Sequence, residues 1–501
     1  MGKTDKNIIK TMASVSGIVI LAKILGFVKQ MVTANAFGAT IQTDLISISE
    51  GLITNIDYLL IQTLSTAFVP TYIYLNTSNP ESSRKFVSNV IKVFLLVTTV
   101  IAGVVFAASP LIAKILAPSY PAELTARLAV YIRIFAPAII ILIELAVFNS
   151  LLKANESFVP GELVGVNQSV IVIALVLLVG SRLGPDTIVL GFYVYAVYNL
   201  CFLMVLSRRY WGIERGNPFR DPNIITMLKM MGPLLLGYSV IFVNQQVDKM
   251  IVSGLGAGTI TAMGYASVLS NFVCTFIGSI CGVLFTYITK NIAENRDEAA
   301  ANLAVSSLVQ ISTLLLPISI LTMMNSHDIV TIVFARGEFG ADAVRRCSLA
   351  LTGYGLIFIP YAMREIFSRF QYAYGDSKRP MINSTVSIVL NIILSIMLSM
   401  WLGVLGVTLA TSISVFVCGA LNIYTSTKKN PGIGIRKVLH SMPQWLAGTA
   451  ICVFVSVAGQ RLLADEHAIV RFAAISAAAM LLFYAVNFRT VKSLLKTAVR
   501  R

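Results

Sequence analysis

The chain has 501 residues, 56% hydrophobic and only 12% charged, with a net charge of +16. A soluble protein carries about a quarter charged residues, so this composition and a mean hydropathy of +0.80 exclude a set of ordinary globular domains. The basic excess is distributed between apolar stretches and forms no patch or stripe, which removes nucleic acid as a partner.

A membrane-spanning helix needs about 20 mainly apolar residues. The sequence predicts about fourteen, at 11–35, 42–75, 87–108, 127–152, 158–180, 187–207, 224–254, 259–289, 302–325, 345–371, 380–401, 403–425, 437–460 and 468–488. The first lacks a compact apolar core followed by a small-residue cleavage site, so it reads as a permanent helix. The longest polar connections, "SRRYWGIERGNPFRDPN" and "STKKNPGIGIRK", follow the sixth and twelfth spans. They divide an all-α, polytopic membrane protein into two six-helix lobes, 1–223 and 224–430, and a C-terminal pair of helices with a basic tail, 431–501.

With the N-terminus inside, the inner segments hold 23 Lys and Arg and the outer ones eight. That bias predicts a multi-pass protein of a bacterial cytoplasmic membrane with both termini cytoplasmic. "FGATIQT" at 37 and "LGAGTIT" at 255 lie 218 positions apart, each at the turn between the first two spans of a half. An even number of spans separates them, which points to a parallel repeat.

The six cysteines include no C-x-x-C pair, so neither a disulfide framework nor a zinc site is indicated. No nucleophile, base and orienter occur together and no phosphate-binding glycine loop is present, which argues against an enzyme and against any bound cofactor.

Charge inside the spans carries the functional signal. An ionised side chain at mid-bilayer costs about 2.5–3.5 kcal/mol on insertion scales. Lys92, Lys229 and Arg369 lie near span ends and can snorkel. Lys23 lies deep in the first span, and Lys29 points about a third of a turn away from it. Gly26 between them offers a bend that would turn both ammonium groups toward one hydrated chamber, with Asp44 and Asp57 of the second span supplying the opposite sign. Glu144 and the pair Arg364 and Glu365 read as interior ion pairs. Asp248, Asn391, Ser395 and Thr411 provide oxygen ligands for a hard monovalent cation. Spacing alone favours an interhelical hydrogen-bond cluster over a cation site.

Several stretches carry a family resemblance: "FVPGELVGVNQS", "NQQVDKMIVSGLGAGTITAMGYA", "VFARGEFGADAV", "FQYAYGDSKRPMINSTVSIVLNIILS" and "LGVLGVTLATSIS". They resemble the MurJ/MviN family of lipid II flippases, within the multidrug/oligosaccharidyl-lipid/polysaccharide exporter superfamily. The resemblance implies two lobes in a V, a central cationic cavity, and two C-terminal helices that form a groove for a lipid tail. It also implies a substrate: an undecaprenyl-pyrophosphate-linked sugar precursor moved to the outer leaflet.

Within that pattern "KILGFVK" places Lys23 and Lys29 where the family has arginines, keeping charge but losing the bidentate fork. Asp44 matches the family's acidic residue after the first turn. Asp248, Asn391 and Thr411 match positions that bind sodium in some members, with Ser395 replacing an acidic ligand. Asp57 in "TNIDYLL" and Val268 in "YASVL" stand where the family has two further arginines, so the chain reads as a divergent member.

The expectation is therefore a monomeric flippase working by alternating access. Lys23, Lys29, Asp44 and Asp57 would form its substrate site, and sodium or the membrane potential would drive resetting. The alternatives are a cation-coupled multidrug antiporter, for which Asp57 beside Tyr58 speaks, and a membrane-embedded glycan polymerase or ligase.

Overall fold

A computed structural model describes residues 3–214, 217–430, 433–434 and 436–488; the basic tail expected at the C-terminus falls mostly outside the described residues. The regular elements are helical: α1 (Lys3–Phe37), α2 (Ile41–Ser78), α3 (Pro80–Ala107), α4 (Ser109–Leu116), α5 (Ala122–Phe135), α6 (Ala138–Ala154), α7 (Val159–Leu183) and α8 (Asp186–Ser207). After a short 3-10 turn follow α9 (Pro222–Ser253), α10 (Thr259–Ala293), α11 (Asp297–Met324), α12 (Ser326–Phe334), α13 (Ala341–Gly355) and α14 (Phe358–Ala373). The chain closes with α15 (Lys378–Leu402), α16 (Val404–Lys429), α17 (Arg436–Leu462) and α18 (Ala468–Val486).

Among the described residues, 12 segments are long and apolar enough to cross a membrane. The other two expected spans correspond to α9, which is 32 residues long, and to the pair α13 and α14, whose 15 and 16 residues are each short of a full crossing. The fourth expected span is likewise two helices, α5 and α6, which part at Ala136–Pro137. Proline removes a backbone donor and crowds the preceding turn, so a break there is the physical outcome.

The internal repeat, a seven-residue echo in the sequence, extends through the whole element order. The starts of α2 to α8 recur as those of α10 to α16 after 217–220 residues, and glycines of positive φ, Gly184 and Gly403, end α7 and α15. Each half thus reuses one plan of long, broken and short helices.

By compactness the chain forms two units, residues 1–261 with 336–339, and residues 262–335 with 340–501. In the first, α2 packs on α3, α5, α6 and α9, while α7 bridges α1 and α8. Lipid tails are as apolar as leucine, so burial alone cannot hold such helices together; small residues and polar pairs must contribute. Asn167 donates to Asn199 at 3.0 Å between α7 and α8, and the hydroxyls of Ser65 and Ser150 meet at 2.8 Å between α2 and α6.

In the second unit α16 is central, packing on α13, α14 and α15, and α17 runs between α11 and α18. Asn383 of α15 donates to the Asn422 side chain of α16 at 2.8 Å, and Gln371 of α14 donates to the Asn422 carbonyl at 2.9 Å. A Cβ on Gly448 or Gly459 of α17 would press into Phe483 or Ile475 of α18, so those glycines let the two helices approach closely. Arg471 of α18 forms a two-pronged ion pair with Asp328 of α12.

Candidate functional site

The site begins at the start of α2. Thr40 and Thr43 form a capping box, each side chain accepting from the other residue's backbone N–H, at 3.3 and 2.8 Å. This fixes Asp44 one turn in, completely buried. Its Oδ2 accepts from Gly258 N–H at 2.6 Å, and its Oδ1 accepts from the N–H and hydroxyl of Thr261 at 2.8 and 2.7 Å. Gly258 has φ +80°, and a Cβ there would strike the Ala39 carbonyl. The loop can reach Asp44 only because that residue is glycine.

Deeper in the first unit, charged side chains of three helices converge. Glu50 of α2 lies in the field of both Lys29 of α1 and Lys249 of α9. The Lys249 ammonium also donates to the Ser47 carbonyl at 3.4 Å, in space kept open by Gly51, where a Cβ would overlap it. Tyr195 of α8, itself buried, lies near Glu50 and Asp57. Two lysines and Glu50 thus share one interior region.

Lys23 does not join them. It is exposed and makes no ion pair or hydrogen bond among the described residues. Gly26, expected to bend the helix and unite the two lysines, instead lies in the α7 contact, where its Cβ would stand 3.9 Å from Ser169 Oγ. Lys23 and Lys29 flank that contact stripe on opposite sides, as helical geometry requires of residues at three positions before and after it.

Two carboxylates lack partners. Asp57 Oδ1 is buried without a hydrogen bond, and both oxygens of Glu144 on α6 are in the same state, so Glu144 is not the ion pair expected of it. The other expected pair is present: Arg364 meets Glu365 at 2.9 Å, Arg369 joins at 3.2 Å, and the Arg364 guanidinium lies 4.7 Å from the Tyr361 ring centre.

The candidate cation ligands divide between the units. Asp248 is half-buried on α9. On α15 and α16 of the second unit, Asn391 Nδ2 approaches Thr411 Oγ1 at 3.4 Å, and Ser395, one turn on, is fully buried. Asn391 Oδ1 is buried with no hydrogen-bond partner. Among the described residues no cluster of three His, Cys, Asp or Glu could hold a metal, so any ion here would rest on amide and hydroxyl oxygens.

Neither Glu50 nor Lys249 is among the site residues expected from the sequence. The signal was available: "SISEGLITNID" puts a carboxylate inside an apolar helix, which costs too much to be neutral in effect.

Comparison with known proteins agrees with this architecture. Residues 33–478 match the family model described as lipid II flippase MurJ. The probable lipid II flippase MurJ of Buchnera aphidicola subsp. Acyrthosiphon pisum is 26% identical over 435 residues, 82% of each chain. That of Vibrio cholerae serotype O1 is 24% identical over 444 residues, covering 83% of this chain and 82% of the relative. Among solved structures, lipid II flippase MurJ in an inward closed conformation superposes with a TM-score of 0.82 at 20% identity, over 96% of this chain and 99% of that one. A multidrug resistance MATE family transporter of the MOP superfamily shares the fold at a TM-score of 0.65 and 12% identity, over 84% of this chain and 98% of that one. With its many apolar helices and a family match spanning nearly its whole length, the chain belongs to the MurJ family of lipid II flippases, which are transporters and not enzymes.

Proposed function

We propose that the chain moves a lipid-linked sugar carrying a diphosphate, lipid II or a close relative, from the cytoplasmic to the outer leaflet by alternating access of two halves. The family match over residues 33–478 carries this reading. The repeated order of helices supports the two halves, and the clustered lysines support an anionic substrate.

Lys29 and Lys23 supply positive charge for the diphosphate. Glu50 offsets the positive charge of Lys29 and Lys249 when substrate is absent, and phosphate oxygens, which bind lysine as a point charge, take over that role. Asp57 balances charge beside this cluster. Asp44, whose carboxylate is filled by three donors, positions the start of α2 and does not contact substrate. Asp57 and Val268 in place of two family arginines leave a weaker anion site and favour a related lipid-linked oligosaccharide as an alternative cargo.

The positive-inside bias supports a cytoplasmic location for both termini. Resetting draws on the membrane potential, worth about 2.3 kcal/mol per charge per 100 mV, or on sodium. Asn391 Oδ1 is a buried acceptor without a donor, which is what a cation would take, so the amide and hydroxyl oxygens of Asn391, Ser395 and Thr411 fit sodium.

Purified chain in proteoliposomes containing a fluorescent lipid-linked saccharide diphosphate tests the reading. Accelerated loss of protection from a membrane-impermeant quencher supports it. Transport of organic cations alone would overturn it in favour of a multidrug antiporter.

A further inference from the structure

A cavity of about 600 Å³ opens in the first unit between α5 and α8. Its composition is graded. Arg127, Tyr131 and Asp186 line one end, within the first three turns of α5 and the first residue of α8. Asp186 Oδ1 accepts from the Tyr131 hydroxyl at 2.6 Å and from Gln42 of α2 at 3.3 Å. These bonds link α2, α5 and α8.

The other wall is apolar. Val130, Ile134 and Leu190 line it and are all exposed, and the Tyr193 hydroxyl closes its far end by donating to the Ile134 carbonyl. Ile134 follows Arg127, and Tyr193 follows Asp186, by seven residues, so at 1.5 Å per residue the cavity runs about 10 Å along the two helices. Arg127 has no hydrogen bond or ion pair among the described residues, and Asp186 is exposed.

A guanidinium and a carboxylate lining one cavity with an apolar wall are complementary to a ligand with a phosphate, a nearby primary ammonium and an acyl chain. We propose that this cavity binds a zwitterionic glycerophospholipid of the phosphatidylethanolamine class, its phosphate on Arg127, its ammonium on Asp186 and Tyr131, and one acyl chain along Val130, Ile134 and Leu190. Arginine meets phosphate bidentately. An anionic headgroup would satisfy Arg127 but be repelled by Asp186. A choline headgroup would lose the hydrogen bond to the carboxylate.

Native mass spectrometry of the full purified chain, with dioleoyl phosphatidylethanolamine, phosphatidylglycerol and phosphatidylcholine at equal concentration, tests the site. Phosphatidylethanolamine should be retained preferentially. Asp186→Asn keeps an acceptor for Tyr131 and should abolish the preference over phosphatidylglycerol, a change of about tenfold for one charge-assisted bond. Arg127→Ala should weaken both lipids, and Leu190→Trp, which fills the slot, should weaken all three. Equal retention of the three lipids by the native chain, or a preference untouched by Asp186→Asn and Arg127→Ala, would overturn the assignment.

Discussion

Asp44 and Thr261, 217 residues apart, are joined by two hydrogen bonds, from the Thr261 N–H at 2.8 Å and from its hydroxyl at 2.7 Å. A buried carboxylate survives in an apolar bundle only when donors replace its water, and here Gly258 adds a third. Asp44→Asn keeps one acceptor and loses the charge, so it should cost about 1–3 kcal/mol. Gly258→Ala should be as damaging, because its φ of +80° and the Ala39 carbonyl both oppose a side chain. Thermal unfolding in detergent would show both; an unchanged midpoint for Asp44→Asn would mean the clasp contributes nothing.

The clasp also shows where sequence reading stops. The spans were legible because hydropathy is local, whereas the breaks at Pro137 and before Pro360 divide two segments that were each expected as one span. Asp44 was legible as an unusual acid but not as a cap, since its donors sit on a distant turn and are mostly backbone groups. Helical arithmetic already placed Lys23 and Lys29 on different faces. Bringing them together required a bend at Gly26, and the structure uses that glycine for contact with α7. Glu50 becomes informative only beside Lys29 and Lys249, which arrive from helices before and far after it.

The Lys29, Glu50 and Lys249 group should behave as a coupled unit. Lys249→Met leaves Glu50 with one cation, and Glu50→Gln leaves two cations facing each other. Each single change should destabilise, and the double change should cost less than their sum, with a coupling energy of about 1–3 kcal/mol. A thermodynamic cycle on the four proteins measures it; strict additivity would show that the charges do not interact.

Asp328 is buried beneath Arg471, and the pair fastens α18 to α12. Removing one partner strands the other in a covered position. Arg471→Ala should therefore lower stability by about 1–3 kcal/mol, between the values for exposed and fully buried pairs. Asp328→Asn with Arg471→Gln, which removes both charges, should recover part of it. Unfolding midpoints decide the point, and equal losses in the single and double variants would argue that packing alone matters.

Sodium binding at Asn391 and Thr411 would stabilise the folded protein. At a sodium concentration 100 times its dissociation constant the gain is about 2.7 kcal/mol. The native chain should unfold at a higher temperature in NaCl than in equimolar KCl, and Asn391→Ala should erase the difference. The absence of any sodium effect in the native protein would remove this ion from the account.

The basic residues of α1 are held to be what engages the diphosphate of the cargo. Flipping of a fluorescent lipid-linked saccharide diphosphate, compared between native proteoliposomes and the Lys23→Ala, Lys29→Ala double variant at equal protein incorporation, tests this most directly. Loss of even one charge-assisted contact is worth about tenfold or more, so the initial rate should fall at least that far. A double variant that flips the lipid at the native rate would contradict the account.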